Sequence, residues 1–176
     1  MNKDFHKKRL VYDEGEDLYF VTYSILLILY HLECCDEKRE FKDYRKLCFL
    51  INIISSEKQT NIVRDYYNKK NNINNSIKNS INNLYFNSID NIVLIRYVLL
   101  ILESRGIIEI NSEENRTNIY LLNKESYKQL LESDKFRDEI QNINIIKKTV
   151  SKLRGLLYIT FIKNLFEKNG VAIWEE

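Results

Sequence analysis

Residues 88–122 read SIDNIVLIRYVLLILESRGIIEINSEENRTNIYLL, and this stretch decides the fold. Its first half, from Ser88 to Ser104, is almost continuously apolar, which is typical of a helix packed on more than one side. Ser88 and Asp90 are both suited to cap the first turn. Gly106 stands where a glycine commonly ends a helix in the left-handed conformation. We therefore predict a helix over residues 88–104.

The hydrophobic period changes directly after Gly106. Residues 107–110 and 117–122 have β-type patterns, and the polar residues 111–115 between them are typical of a turn, so we predict a two-stranded hairpin. Asn123 then caps a helix that runs to about Glu132. This order of elements is the pattern of a winged helix-turn-helix, in which the hairpin is the wing and the 88–104 helix takes the position of the recognition helix.

Three patterns upstream of this stretch predict helices. Residues 18–33 are almost continuously apolar, which indicates a helix buried on all sides. Apolar residues recur mostly three positions apart over residues 41–54, and a shorter helix is predicted over residues 59–67. Residues 1–17 are a polar, charged lead-in, so the winged-helix domain is predicted to span residues 18–132.

An asparagine-rich segment, residues 68–87, is inserted in this domain and contains nine Asn. Asparagine competes for backbone hydrogen bonds and lowers helix stability. Ile73, Ile77, Ile81 and Leu84 nevertheless fall on one helical stripe. Two interpretations stay open: a long loop with weak helix, or a segment that folds against a partner.

Residues 133–176 are predicted to form a C-terminal helical extension. A long helical stretch runs from Asp134 to Lys168 with a break near Gly155, and Gly170 ends it before an apolar tail. The predicted fold class is therefore mainly α with a small β-hairpin. In this prediction, a winged helix-turn-helix core carries added N- and C-terminal helices.

The composition of the 176 residues is poor in turn-forming residues, with 4 Gly and no Pro. Average usage would give about a dozen Gly and nine Pro. Few glycines allow few tight turns or phosphate-binding loops, which argues against a sandwich, a β-barrel or a Rossmann domain.

A net charge of +2 gives no bulk attraction to nucleic acid or membrane. Residues 18–32 are too short for a membrane span, so we expect a soluble, cytoplasmic protein.

No catalytic, cofactor-binding or metal-binding motif is found in the sequence. It contains no phosphate-binding loop, no nucleophile elbow and no zinc-protease motif. Cys34 follows His31 at helical spacing, which could activate a thiolate, but their apolar neighbours favour a structural thiol in a helix. With Cys35 and Cys48 it forms no C-x-x-C pair. We predict a non-enzyme with no cofactor and no metal.

Direct DNA readout is poorly supported by the residues of the predicted winged helix. A recognition helix needs exposed polar side chains, and the middle of the 88–104 helix offers only Arg96. The wing tip, residues 112–115, is acidic and is opposed only by Arg116. Packing against a second protein layer explains such an apolar helix better.

A basic run before the helix could contact phosphates non-specifically or be a solvated face; it comprises Lys58, Arg64, Lys69, Lys70 and Lys78.

Three stretches together carry a family resemblance over roughly residues 18–135. They are YSILLILY (23–30), FKDYRKL (41–47) and LLILESRGIIE (99–109), followed by a wing that ends in YLL (120–122). In this arrangement the chain resembles the middle component of bacterial ABC three-component systems, a group that includes the Lamassu-type antiphage defence systems.

The resemblance implies a non-catalytic accessory subunit of an SMC-like, DNA-sensing complex. Such a subunit would dock on an SMC-type ATPase and help to hold an effector, often a nuclease, inactive until foreign DNA is sensed. It would touch DNA only indirectly or non-specifically, and no membrane. The alternatives are a winged-helix transcription regulator that dimerises through the 134–168 helix, and a helical viral protein that acts on host proteins. The candidate partner-binding residues are Arg96, Arg105, Arg116, Ile173 and Trp174.

Overall fold

The computed structural model describes residues 14–68 and 75–167. Over these residues the chain is mainly helical, with one antiparallel hairpin. The helices are α1 (Glu14–His31), α2 (Lys46–Ile54), α3 (Glu57–Asn68), α4 (Asn75–Ile89), α5 (Ile92–Ser104), α6 (Lys124–Leu131), α7 (Arg137–Thr149) and α8 (Tyr158–Leu165). The strands are β1 (Ile108–Glu113) and β2 (Arg116–Leu121), and short 3₁₀ turns lie at Glu37–Arg39, Asp134–Phe136 and Leu153–Gly155.

Helix α1 is the central element of the core, as its continuous apolar sequence predicts. Residues 25–29 are all buried, and the helix packs against α2, α5, α6, α7 and β2. It ends two residues earlier than predicted because Glu33 takes the left-handed conformation with φ of 62°. The Cys34 N–H then donates to the Leu29 carbonyl at 2.8 Å, a typical helix stop. Cys34 therefore lies after the helix, and the prediction of a helical position for it is wrong.

Helix α2 begins at Lys46, so the prediction of a helix from residue 41 is wrong in its first turn. Phe41 instead forms a β-bridge with Ile119 of the hairpin. The Phe41 N–H donates to the Ile119 carbonyl at 2.8 Å, and the return bond is 3.1 Å. Asp43 then turns the chain with φ of 61°. Residues 41–45 have helical spacing but are not helical, because Phe41 pairs with a strand that is distant in sequence.

The predicted 88–104 helix is divided between α4 and α5, which meet at an angle of 51°. Ser88 does not cap α5, because its hydroxyl donates to the Leu84 carbonyl inside α4 at 2.6 Å. Within the residues described, no single helix is long and apolar enough to cross a bilayer; α4 and α5 meet that length and composition only when combined across their bend.

Residues 75–87 of the asparagine-rich segment lie in α4, and this helix packs against α2 and α3 of the same chain. Ile81 and Leu84 are buried, as the predicted stripe requires, while Ile73 lies outside the described residues. A long loop is therefore the wrong interpretation of residues 75–87. The apolar stripe overcomes the weak helix propensity of asparagine because burial contributes more than propensity.

The predicted hairpin is confirmed, with a register from Ile108 opposite Leu121 to Glu113 opposite Arg116. Gly106 ends α5 with φ of +64°, a backbone conformation that residues with a Cβ rarely adopt. Local sequence signals are sufficient here because the turn and the two strands are adjacent in the chain.

The helical stretch predicted from Asp134 to Lys168 is divided into two helices, and its predicted break near Gly155 is confirmed. Helix α7 ends at Thr149, and the 3₁₀ turn Leu153–Gly155 precedes α8. This break lets both halves bury apolar side chains on one core, where α7 packs against α1 and α3. Gly170 and the apolar tail lie outside the described residues.

Lys46 fastens this break to α2. Its side chain is fully buried, and the ammonium donates to the carbonyls of Leu153 at 2.8 Å, Arg154 at 3.2 Å and Leu156 at 2.6 Å. The nitrogen also lies 4.4 Å from the centroid of the Phe41 ring. Three acceptors match the three N–H donors of a lysine ammonium, so one side chain holds the turn before α8.

Lys46 should make the stability of the protein depend on pH. Burial lowers its pKa to about 7, against the opposing effect of the Asp43 carboxylate. An unfolded lysine titrates near pH 10.4, so above about pH 7 the unfolded chain binds more protons and the free energy of unfolding rises with pH. Burial raises the pKa of the Cys34 and Cys48 thiols to about 12. In the unfolded chain these thiols deprotonate at about pH 8.5, so above that pH the free energy of unfolding falls as the pH rises.

We therefore expect a stability maximum near about pH 8.5, with a slope below it of at most about 1.4 kcal/mol per pH unit. Urea unfolding in half-unit steps from pH 6.5 to 10 measures this. The variant Lys46→Met is the control, because it should lose the rise between pH 7 and 8.5 and keep the fall above it. A flat wild-type profile from pH 7 to 8.5 would contradict the prediction.

Candidate functional site

The outer face of α5 is the strongest candidate site, because it is apolar and exposed. Val93, Tyr97 and Leu100, hereafter the α5 stripe, are 71%, 57% and 61% exposed. Their spacing of four and three residues places them on one side of the helix. The opposite side of α5 is buried in the core through Ile95, Val98, Leu99 and Leu102. The helix is thus apolar on two sides, and only one of them is covered by the residues described.

Two charged side chains lie along one edge of the α5 stripe. Arg96 and Glu103 are exposed and separated by two helical turns. The Arg96 Nε–H donates to the Tyr44 hydroxyl at 2.6 Å. Within the described residues, neither Arg96 nor Glu103 has an oppositely charged group within 4.0 Å. This edge therefore presents one cation and one anion without an ion-pair partner from the described chain.

Arg105 lies before the first strand of the wing, and Arg116 begins the second strand. The two side chains have different surroundings. Arg105 follows the last turn of α5 and is exposed. Arg116 begins β2, is half-buried and forms an ion pair with Glu113 across the end of the hairpin. Of the two predicted contact residues, Arg105 is thus the one that faces outward, while Arg116 helps to hold the wing together.

A polar network around Asn118 in strand β2 of the wing was not identified from the sequence. Asn118 is fully buried, and its side-chain NH₂ donates to Glu40 at 3.0 Å and to Glu113 at 2.8 Å. Its side-chain carbonyl accepts from the Asp43 N–H at 3.2 Å. These bonds fix the wing against the loop before α2. The sequence offers little warning, because an asparagine in a short strand is also typical of a solvent-facing position.

The predicted basic run does not form one face within the described residues. Lys58 and Arg64 lie on α3, but six residues separate them, which places them on different sides of that helix. Arg64 is also paired with Asp65 at 3.3 Å. Lys78 is exposed on α4. Lys69 and Lys70 of this run, and the candidate contacts Ile173 and Trp174, lie outside the described residues.

His31 and Cys34 have different partners: His31 contacts the Leu131 carbonyl, and the Cys34 thiol donates to the Leu32 carbonyl at 3.8 Å. Burial raises the pKa of the Cys34 thiol to about 12, which disfavours a thiolate at neutral pH. His31 Nε2 lies 3.2 Å from the Leu131 carbonyl oxygen, so this nitrogen carries the proton and donates. Burial also lowers the pKa of His31. Among the described residues, no group of His, Cys, Asp and Glu side chains is placed to hold a metal ion.

The structure thus places Arg96 beside the α5 stripe and Arg105 directly before the wing, and both side chains are exposed. The sequence shows that α5 is apolar throughout, but only the fold shows which of its faces is covered. No protein-family model, no curated protein and no solved structure matches the chain.

Proposed function

We propose that this chain is a non-catalytic accessory subunit of an SMC-like antiphage defence complex in the cytoplasm. It docks on an SMC-type ATPase and helps to hold an effector nuclease. In this proposal the fold is a winged helix, with α5 in the position of the recognition helix and β1–β2 as the wing. The observation that carries the proposal is the α5 stripe, which presents Val93, Tyr97 and Leu100 to solvent.

An apolar stripe suits a protein partner and does not suit DNA. Base edges are read by hydrogen-bonding side chains, and the α5 stripe supplies only the Tyr97 hydroxyl. Transfer of apolar surface from water into a protein interface contributes about 25 cal/mol per Å² buried. The exposed carboxylate of Glu114 at the wing tip repels phosphate, while the charge of Arg116 is paired with Glu113. These features favour a protein-binding winged helix.

The alternative of a dimeric DNA-binding regulator is supported less well. It required one long helix over residues 134–168 for dimerisation, and that stretch is divided into α7, a 3₁₀ turn and α8. Helix α7 packs on α1 and α3 of its own chain. A dimerisation helix projecting from the domain is therefore absent from the described residues of this stretch.

Co-purification tests the proposed function. We expect a neighbouring gene to encode a large coiled-coil ATPase, and the two purified proteins to elute together in one stoichiometric peak. If the chain instead shifts a DNA duplex alone, with a tenfold or greater preference for one sequence, the regulator alternative is correct.

Charge reversal at the wing should weaken this docking. We expect Arg105→Glu to lower the affinity for the ATPase by roughly tenfold, because reversing one exposed interface charge typically costs about 1–2 kcal/mol. Calorimetric titration measures the affinity. The melting temperature of the Arg105→Glu variant should stay within about 2 °C of wild type, since the Arg105 side chain is exposed.

The matched control is Arg137→Glu, an exposed arginine at the start of α7, which should bind like wild type. Arg116→Glu should also weaken docking, but with some loss of stability because it removes the ion pair with Glu113. Unchanged affinity in both Arg105→Glu and Arg116→Glu would exclude the wing as the docking surface.

A further inference from the structure

The α5 stripe has the spacing of one seam of a coiled coil. Val93, Tyr97, Leu100 and Ser104 follow each other at intervals of four, three and four residues, and all four are exposed. This is the interval pattern of the a and d positions that face a second helix. The half-buried Leu94 and Ile101 flank the seam on one edge, and Arg96 and Glu103 flank it on the other.

The edge that carries Arg96 and Glu103 has complementary charges to the same edge of a second, antiparallel copy. Arg96 precedes Tyr97, and Glu103 precedes Ser104, so the two charges occupy equivalent positions seven residues apart. When two identical helices pair in antiparallel fashion about a two-fold axis, each edge meets its own reverse. Arg96 then faces Glu103 of the second copy, and Glu103 faces Arg96 of the second copy, while the apolar edges meet each other.

We propose that the α5 stripe is covered by α5 of a second copy of this chain, in an antiparallel, two-fold symmetric pair. The seam layers are Tyr97 against Leu100 of the second copy and Val93 against Ser104 of the second copy. Two reciprocal ion pairs between Arg96 and Glu103 fix the register. This pairing assigns the α5 stripe, which supports the proposed function as a protein-binding surface, to a second copy and leaves the wing residues Arg105 and Arg116 for the ATPase.

The size of the surface sets the strength of the pair. Helix α5 has 13 residues and is therefore only about 20 Å long. A single helix pair of this length covers less than the roughly 800 Å² per partner of a standard stable interface. We therefore expect a reversible dimer whose dissociation constant is about micromolar or weaker, with association that depends on protein concentration.

A charge exchange between two copies tests the symmetry of the pair. We expect analytical ultracentrifugation of the full chain to show a monomer–dimer equilibrium. Arg96→Glu and Glu103→Arg should each weaken it roughly tenfold, because each places like charges opposite one another twice. An equimolar mixture of the two variants should form a heterodimer of near wild-type affinity, since every pair then has opposite charges. The double variant Arg96→Glu/Glu103→Arg should likewise recover.

A second pair of variants separates the stripe from other exposed surfaces. Tyr97→Glu should abolish dimerisation, whereas the same substitution at Tyr19, an exposed tyrosine on α1, should leave it unchanged. Circular dichroism melts of all these variants should lie close to wild type, because the substituted side chains are exposed.

Three results would overturn the pairing: a wild-type chain that stays monomeric up to millimolar concentration, two single-charge variants that fail to associate when mixed, or a Tyr97→Glu variant that still dimerises. If the monomeric wild type loses ATPase binding through Tyr97→Glu, the ATPase covers the stripe, and the proposed function stands without the dimer. A dimer that binds no ATPase supports the pairing and contradicts the proposed function.

Discussion

Replacing Lys46 by alanine should lower the free energy of unfolding by about 3–5 kcal/mol. The substitution leaves three carbonyl oxygens without their donor, those of Leu153, Arg154 and Leu156. It also empties the space beside the Phe41 ring. A buried acceptor left unsatisfied costs about 1–3 kcal/mol, so the loss is a large fraction of the stability of an average domain. Urea unfolding at pH 6, below the pKa of Lys46 at about 7, measures the loss with the ammonium protonated.

Two further variants identify the cause of this loss. Lys46→Met keeps most of the side-chain volume and removes only the donors, so its loss should be smaller than that of the alanine variant by the cavity contribution. Lys163→Ala, which truncates an exposed lysine on α8, should change stability by less than about 0.5 kcal/mol. A Lys46→Ala variant as stable as Lys163→Ala would show that the turn before α8 does not depend on this ammonium.

Replacing Phe49 by alanine should cost about 3–5 kcal/mol of stability. Phe49 is 1% exposed, and its ring centroid lies 5.0 Å from Phe166, 5.9 Å from Tyr85 and 6.1 Å from Phe161. It therefore joins α2 to α4 and to the C-terminal α8 region. Aromatic pairs of this kind contribute about 0.5–1.5 kcal/mol beyond the area they bury. Thermal and urea unfolding should both shift strongly.

The chain offers a matched control for this cluster. Phe86 follows Tyr85 on α4 but is 54% exposed, so Phe86→Ala should change stability by less than about 1 kcal/mol. Phe49→Leu should cost less than Phe49→Ala, because leucine fills part of the cavity. Equal losses for Phe49→Ala and Phe86→Ala would contradict the assignment of the cluster to the core.

The elements predicted correctly are those specified by adjacent residues. The end of α5 follows from Gly106, because a positive φ is inexpensive only without a Cβ. The hairpin follows from two short β-type patterns around a polar turn, and most of α1 follows from an almost continuous apolar run. In each case the deciding interactions lie within a few residues of one another, or depend on burial alone.

The elements predicted wrongly are those in which distant residues compete with the local pattern. Residues 41–54 have helical spacing, yet Phe41 pairs with Ile119, 78 positions later. Residues 134–168 predict a helical stretch with a break near Gly155, but the sequence does not show that Lys46 supplies the donors that stabilise this break. A single sequence does not reveal such contacts, because the partner is defined only once the chain has folded.

By itself, the amino-acid sequence determined that this protein is mainly helical with one hairpin, and that the helix before the hairpin carries almost no polar side chain. Tertiary structure decided which face of α5 stays exposed and where the ammonium of Lys46 finds its acceptors. The reason is that periodicity determines which side chains share a face of a helix. Whether that face is covered depends on elements such as α1 and α2, which reach it only through packing.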